Sequence, residues 1–222
     1  IRPIASPLEV IALARQLAPR PVVFFAAGFE TTMAPVAAML AEATLPANLF
    51  LYAVNDLADA DTDAHNAKKD GYEHRVRPAD ERFLTMGACA GMAALAGSAL
   101  LTQSLGAVAW TAVFLILGVT YSLPPQRFKA QPFADSASNV LYVAPGLAAA
   151  AAVGTPAPLI VIIAAWAWAA GMHLFSAIPD IEPDQRAGLR TTAVVLGRQD
   201  SLLLCLALWF IADRYRLLTT PA

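Results

Sequence analysis

Residues 55–63 read Asn-Asp-Leu-Ala-Asp-Ala-Asp-Thr-Asp and directly follow a largely apolar run, residues 33–54. If that run continues as a helix, Asp56, Asp59 and Asp63 fall at positions i, i+3 and i+7, so their carboxylates share one face. At an effective dielectric of about 20, two such charges about 4 Å apart repel by about 4 kcal/mol. Protonation or a bound cation relieves this repulsion. A divalent metal ion is the simplest explanation of the stretch.

The composition of the chain excludes an ordinary soluble domain. Of its 222 residues, 58% are hydrophobic and only 14% are charged, and the mean hydropathy is +0.55. Soluble proteins are usually about 45–50% apolar and about 25% charged. The sequence therefore predicts an integral membrane protein, and it carries no signature of nucleic-acid binding.

The apolar segments predict an all-α transmembrane bundle with six or seven visible spans, since a helix needs about 20 mostly apolar residues to cross the hydrocarbon. The first segment is short, and the last is followed by charged residues. The predicted spans are residues 21–29, 33–54, 83–102, 105–122, 139–153, 159–178 and 201–212.

The connections between these segments alternate in charge. Those after the second, fourth and sixth spans hold nearly all the charged residues, whereas Gln103-Ser104 and residues 154–158 are uncharged. Alternate crossings of a bilayer with a positive-inside bias produce this pattern. We therefore expect the charged side, and any site on it, to be cytoplasmic.

A second acidic motif ends the sixth span on the same predicted side. Asp180 and Asp184 are four residues apart, and each directly follows a proline, Pro179 and Pro183 respectively. Alone, the motif is equally compatible with a solvated loop. Together with the first motif it predicts a site for two or more Mg²⁺ ions, which prefer oxygen ligands and share them with substrate phosphates.

Basic side chains on the same side suit a multiply anionic diphosphate, which is bound by cationic groups together with magnesium. A positive-inside bias alone also explains them, without any ligand. The predicted diphosphate-binding residues are Lys68, Arg75, Arg127 and Lys129.

The motifs resemble those of a known family. Asn55-Asp56-x-x-Asp59-x-x-x-Asp63, followed by Asp180-x-x-x-Asp184, is similar to the paired aspartate motifs of the UbiA superfamily of membrane prenyltransferases. The similarity extends to Tyr121-Ser122 and Arg127-x-Lys129. Residues 61–63, 66–73 and 127–135 look most like the lycopene elongase branch, although Ala67 stands where that branch commonly has proline.

The resemblance implies one domain over residues 1–222, with about seven spans of the nine that family members usually have and the last helices outside this sequence. It implies Mg²⁺ held by Asp56, Asp59, Asp63, Asp180 and Asp184, with Asn55 orienting a ligand or the metal shell. The partners it implies are an allylic prenyl diphosphate, the lipid bilayer of a bacterial or archaeal cell membrane, and a hydrophobic acceptor such as lycopene.

Residues at the charged ends of helices are candidates for an acceptor pocket. Tyr121 and Asn139 lie at such ends, and His173 leads into the second acidic motif. Other acceptors remain open at this point: an aromatic quinone precursor, a haem or a chlorophyllide. A protein that binds or transports ions without catalysis is a further alternative, and it would line a route across the membrane with acids.

The metal assignment makes a direct prediction. We expect Asp59→Ala or Asp180→Ala to abolish turnover while the protein remains folded and inserted, because each removes a carboxylate ligand. Turnover of an allylic diphosphate by purified variants measures the effect. Retained activity in both variants would refute the assignment.

Overall fold

The computed structural model describes residues 45–58, 76 and 79–219, and all regular structure in these ranges is helical. The α-helices are α1 (described over residues 45–58), α2 (Glu81–Leu101), α3 (Leu105–Ser122), α4 (Ala134–Ala137), α5 (Ala144–Ala152), α6 (Leu159–Ala177), α7 (Ile181–Arg186) and α8 (Thr192–Thr219). Short 3-10 helices occupy Phe128–Ala130, Ser138–Tyr142 and Ile178–Asp180. The predicted all-α class is confirmed.

The described ranges contain four helical segments that are long and apolar enough to cross a membrane. They are Glu81–Leu101, Leu105–Ser122, Leu159–Arg186 and Thr192–Arg214. Large apolar side chains on them are exposed, among them Phe83 at 73% and Leu101 at 86%. Such a surface is stable when it faces lipid. The total number of spans stays a prediction, because residues 21–29 and most of residues 33–54 lie outside the described ranges.

The predicted fifth span, residues 139–153, is divided into two pieces. A 3-10 helix covers Ser138–Tyr142, and α5 then runs over only nine residues with Pro145 in its first turn. Proline has no N–H to continue a preceding helix but suits the first turn of a new one. The division therefore falls where the sequence places Pro145, and α5 alone is shorter than a membrane crossing requires.

The last helix is longer than its apolar run. The run covers residues 201–212, whereas α8 begins at Thr192 and extends through the polar residues Arg198, Gln199 and Asp200. Gly197 interrupts α8 with φ +73° and ψ 175°, a conformation that glycine adopts at little cost. The first turn, which carries Thr192, is thus set at an angle to the apolar part.

Small residues let α1 lie close to α2 and α3. Phe50 of α1 is 2% exposed and packs at 5.8 Å, centroid to centroid, against Phe114 of α3. A Cβ atom at Gly118 would lie 2.7 Å from the Phe50 ring, and one at Gly91 would lie 2.6 Å from the carbonyl oxygen of Pro46. Close packing of this kind drives helix association in membranes, where lipid offers no hydrophobic advantage.

The uncharged turns meet at one end of the bundle. Ser104 accepts a hydrogen bond from the N–H of Ala107 at 3.3 Å and so caps α3. Its hydroxyl also donates to the carbonyl oxygen of Ala151, near the end of α5, at 2.9 Å. The carboxyl ends of α3 and α6 are therefore at the other end, with the charged residues.

Packing at Gly91 is testable. We expect Gly91→Ala to lower the melting temperature of the detergent-solubilised protein, because the new methyl group meets backbone, and overpacking typically costs 1–3 kcal/mol. Gly97→Ala on the same helix is the matched control, since a Cβ atom there meets nothing within 4 Å. Equal melting temperatures for the two variants would show that α1 does not pack on α2 in this way.

Candidate active site

Asn55, in the last turn of the described part of α1, joins three parts of the chain. Its Oδ1 atom accepts a hydrogen bond from Ser122 Oγ at 3.1 Å and another from Lys129 Nζ at 3.3 Å. Ser122 ends α3 and is 1% exposed, and Lys129 belongs to the loop that follows. The beginning of the first acidic motif is therefore held against the basic loop.

A ring contact brings the second acidic motif's helix to the same place. Tyr121 of α3 and His173 of α6 pack edge to face, with ring centroids 6.2 Å apart. Tyr121 is adjacent to Ser122, and His173 lies one turn before the end of α6. Asn55 of α1 and the carboxyl ends of α3 and α6 therefore lie together at one end of the bundle.

The second motif continues α6 as a 3-10 helix and then as α7, rather than as an open loop. Asp184 is half-buried, and its Oδ2 atom accepts a hydrogen bond from Thr191 Oγ1 at 3.2 Å. Glu182 instead pairs with Arg186 at 3.1 Å, and its side chain is 80% exposed. The carboxylates of this motif thus differ in environment, and Asp180 and Asp184 are the half-buried ones.

The basic loop has an unusual backbone. Arg127 has φ 42° and ψ 59°, and Phe133 has φ 65° and ψ −35°, so both are non-glycine residues at positive φ. Such conformations cost of order 1–3 kcal/mol each and persist where the surrounding structure determines them. The loop that carries Arg127 and Lys129 is therefore held in place by its contacts.

Asp135 supplies most of these contacts. Its side chain is 1% exposed, and it accepts hydrogen bonds from the backbone N–H groups of Ser136 at 2.6 Å and Thr192 at 2.7 Å. The hydroxyl of Thr192 also donates to it. Sequence reasoning assigned no role to Asp135, Thr192 or Ser122. The sequence offered one signal for Asp135, which is a carboxylate beside an apolar segment. Aspartates are rarely buried unless they are paired, so a buried one at this position is expected to have partners.

Asn139, predicted to line an acceptor pocket, is buried in the same cluster. It is 2% exposed, and its Nδ2 atom donates to the carbonyl oxygen of Asp135 at 2.5 Å. This contact supports the backbone of the loop. A role for Asn139, Tyr121 and His173 in binding an acceptor stays a prediction.

Several predicted site residues lie outside the described ranges: Asp59, Asp63, Lys68 and Arg75. In the ranges that are described, no group of three or more His, Cys, Asp or Glu side chains forms a metal site. Asp56, Asp180 and Asp184 therefore do not make a complete site by themselves. Their metal-binding role stays a prediction.

The donor chemistry nevertheless fits magnesium. The described acids offer only oxygen ligands, and Mg²⁺ is usually bound by one or two carboxylates together with water and substrate phosphates. Asp56 of α1, and Asp180 and Asp184 after α6, are among the described carboxylates at this end of the bundle. Arg127 and Lys129 lie in the loop beside this region, as anion binding requires.

The fold and the site define a class of protein. It is an all-α integral membrane protein in which acidic residues at helix ends lie at the same end of the bundle as a basic loop. Comparison with known proteins specifies it further. Residues 17–220 match the model of the UbiA prenyltransferase family, and the chain belongs to this family.

Relatives and solved structures agree with this assignment. A curated "Lycopene elongase/hydratase" from Haloferax volcanii is 48% identical over 182 residues, which is 79% of this chain and 58% of that protein. The chain thus spans about three fifths of that relative. A UbiA homologue from Archaeoglobus fulgidus bound to GPP and Mg²⁺ has a TM-score of 0.63 at 26% identity, and one bound to DMAPP and Mg²⁺ has 0.62 at 25%. Each comparison covers 81% of this chain and 67% of the solved chain.

The contact between Asn55 and Ser122 makes a prediction. We expect Ser122→Ala to raise the KM for an allylic diphosphate about 5-fold, because one hydrogen bond that orients Asn55 is lost, worth about 1 kcal/mol. Ser98→Ala, at an exposed position of α2, is the matched control. Steady-state kinetics in detergent measures both variants, and identical kinetics would show that Asn55 needs no support from α3.

Proposed function

We propose that this protein transfers a prenyl group, dimethylallyl in the first instance, from its diphosphate to lycopene or a related carotenoid. The observation that carries the proposal is the contact of Asn55 with Lys129, because it places the start of the first acidic motif against the basic loop. The Haloferax relative supports the acceptor by its name, and the Archaeoglobus homologues support the donor and Mg²⁺ by what they bind.

Lys129 and Arg127 bind the diphosphate oxygens and hold the leaving group as the carbon–oxygen bond breaks. The electron pair of that bond leaves with the diphosphate, whose growing negative charge the two cations stabilise. Magnesium, when held by Asp56, Asp59, Asp63, Asp180 and Asp184, supplies further positive charge to the departing diphosphate. Asn55, fixed by Ser122, keeps Lys129 in position.

The apolar helices next to the site exclude water from the allylic cation that bond cleavage leaves. Tyr121 and His173 lie at the boundary between the polar helix ends and the apolar bundle. A terminal double bond of the acceptor attacks the cation and forms the new carbon–carbon bond. The resulting tertiary cation then loses a proton or takes up water.

The site is proposed to face the cytoplasm. Arg127, Lys129, Arg186 and Arg190 lie in connections at the charged end, whereas Gln103-Ser104 and residues 154–158 at the other end carry no charge. Cytoplasmic connections of membrane proteins carry the excess of Lys and Arg. An apolar acceptor dissolved in the bilayer then reaches the site from the lipid side.

Pigment analysis tests the proposal. We expect the full-length protein, expressed in lycopene-producing cells, to convert lycopene into products heavier by five-carbon units, measured by mass spectrometry. Asp180→Asn should abolish the conversion because it removes a predicted metal ligand. Asp213→Asn should not, since this exposed aspartate lies near the far end of α8.

Two outcomes would contradict parts of this proposal. Unmodified lycopene in membranes that contain the wild-type protein would refute the carotenoid acceptor. Prenylation of a quinone-precursor ring in those same membranes would retain the reaction class and change the acceptor. Full conversion by the Asp180→Asn variant would refute the role of the second acidic motif.

A further inference from the structure

The cluster around Asp135 connects two parts of the proposed site that are distant in sequence. On one side it belongs to the loop that carries Arg127 and Lys129. On the other side it contacts Thr192, which directly follows Thr191, the residue that donates to Asp184. Asp135 and Thr192 are 57 positions apart, yet they are 1% and 0% exposed.

Asp135 and Thr192 each make several hydrogen bonds in this cluster. The Asp135 carboxylate accepts from two backbone N–H groups and from the Thr192 hydroxyl. The Thr192 hydroxyl oxygen in turn accepts from the N–H of Phe133 at 2.6 Å. Hydrogen bonds to a buried charged group are stronger than neutral ones, and leaving such a group unsatisfied is costly.

Further contacts fix the loop to the bundle. Asn139 donates to the carbonyl oxygen of Asp135, and Trp166 Nε1 of α6 donates to the carbonyl oxygen of Ala137 at 2.9 Å. Phe133, one of the residues at positive φ, is held through its own N–H by Thr192. The loop backbone is therefore determined by contacts with both α6 and the start of α8.

We propose that Asp135 and Thr192 are positioning residues whose buried contact sets the separation between the basic loop (Arg127, Lys129) and the second acidic motif (Asp180, Asp184), and thereby the affinity for a magnesium diphosphate. This inference rests on the proposed function. A diphosphate must reach the cations and the metal-bound carboxylates at once, and a displacement of about 1 Å between such groups can cost about 100-fold. Neither Asp135 nor Thr192 needs to touch the substrate.

Binding of an unreactive donor analogue tests the proposal without turnover. The probe is dimethylallyl S-thiolodiphosphate with Mg²⁺, titrated into the full-length protein in detergent by calorimetry. We expect Thr192→Val, which keeps the shape but removes the hydroxyl, to weaken binding about 10-fold. Thr192→Ser, which restores the hydroxyl, should bind within about 2-fold of the wild type.

Thr85→Val is the matched control. It makes the same atomic change at an exposed threonine of α2, whose hydroxyl donates to the carbonyl oxygen of Glu81 in the same helix at 2.8 Å. Its affinity should equal that of the wild type. If Thr192→Val does not fold, Asp135→Asn is used in its place, with the same expected loss of affinity, about 10-fold. If neither variant folds, the role of the contact is purely structural and the proposal is overturned.

A double-mutant cycle shows whether the contact acts through the basic loop. In a Lys129→Met background we expect Thr192→Val to change affinity by less than about 2-fold, because residues that act through one contact are not additive. An unchanged affinity of Thr192→Val, or the same loss in both backgrounds, would overturn the positioning role. A wild-type protein that binds no analogue would refute the proposed function itself.

Discussion

A hydrocarbon bilayer offers no hydrogen-bond partners, so the polar groups of this chain must collect at helix ends or satisfy one another inside the bundle. Asn55 is an example of both, because it lies at the charged end of the bundle and its side chain is hydrogen-bonded to other parts of the chain. Its side-chain oxygen accepts from Ser122 and Lys129 and so joins α1 to the end of α3 and to the basic loop.

At the opposite end of the bundle, the two described connections, Gln103-Ser104 and residues 154–158, are uncharged. Ser104 caps α3 and donates a hydrogen bond to the carbonyl oxygen of Ala151, so neutral groups satisfy one another here. Close helix contacts at Gly91 and Gly118 hold the bundle together between the two ends. Because hydrophobic burial does little in lipid, these small residues and the few polar contacts fix how the helix ends are placed.

The chemistry proposed for the charged end depends on bringing carboxylates and basic side chains to the same end of the bundle. In that proposal, the acids of α1 and of the segment after α6 hold magnesium, and the bases of the loop after α3 bind the diphosphate. The buried Asp135 carboxylate is not one of the proposed metal ligands, because it already accepts hydrogen bonds from two backbone N–H groups and a hydroxyl. It holds the loop, while the half-buried Asp180 and Asp184 remain near solvent.

The sequence by itself determined the helical class, the bounds of α3, the side of the bundle that carries charge, and the family, because hydropathy and motif spacing are local properties. It missed the division at α5, although Pro145 marks it, and it underestimated α8, whose first turn is separated from the long apolar run by Gly197 and three polar residues. Only the tertiary structure decided that Asn55 contacts Lys129 and that Asp135 contacts Thr192. Such pairs are brought together by how whole helices pack, and no local pattern of residues encodes the distance between them.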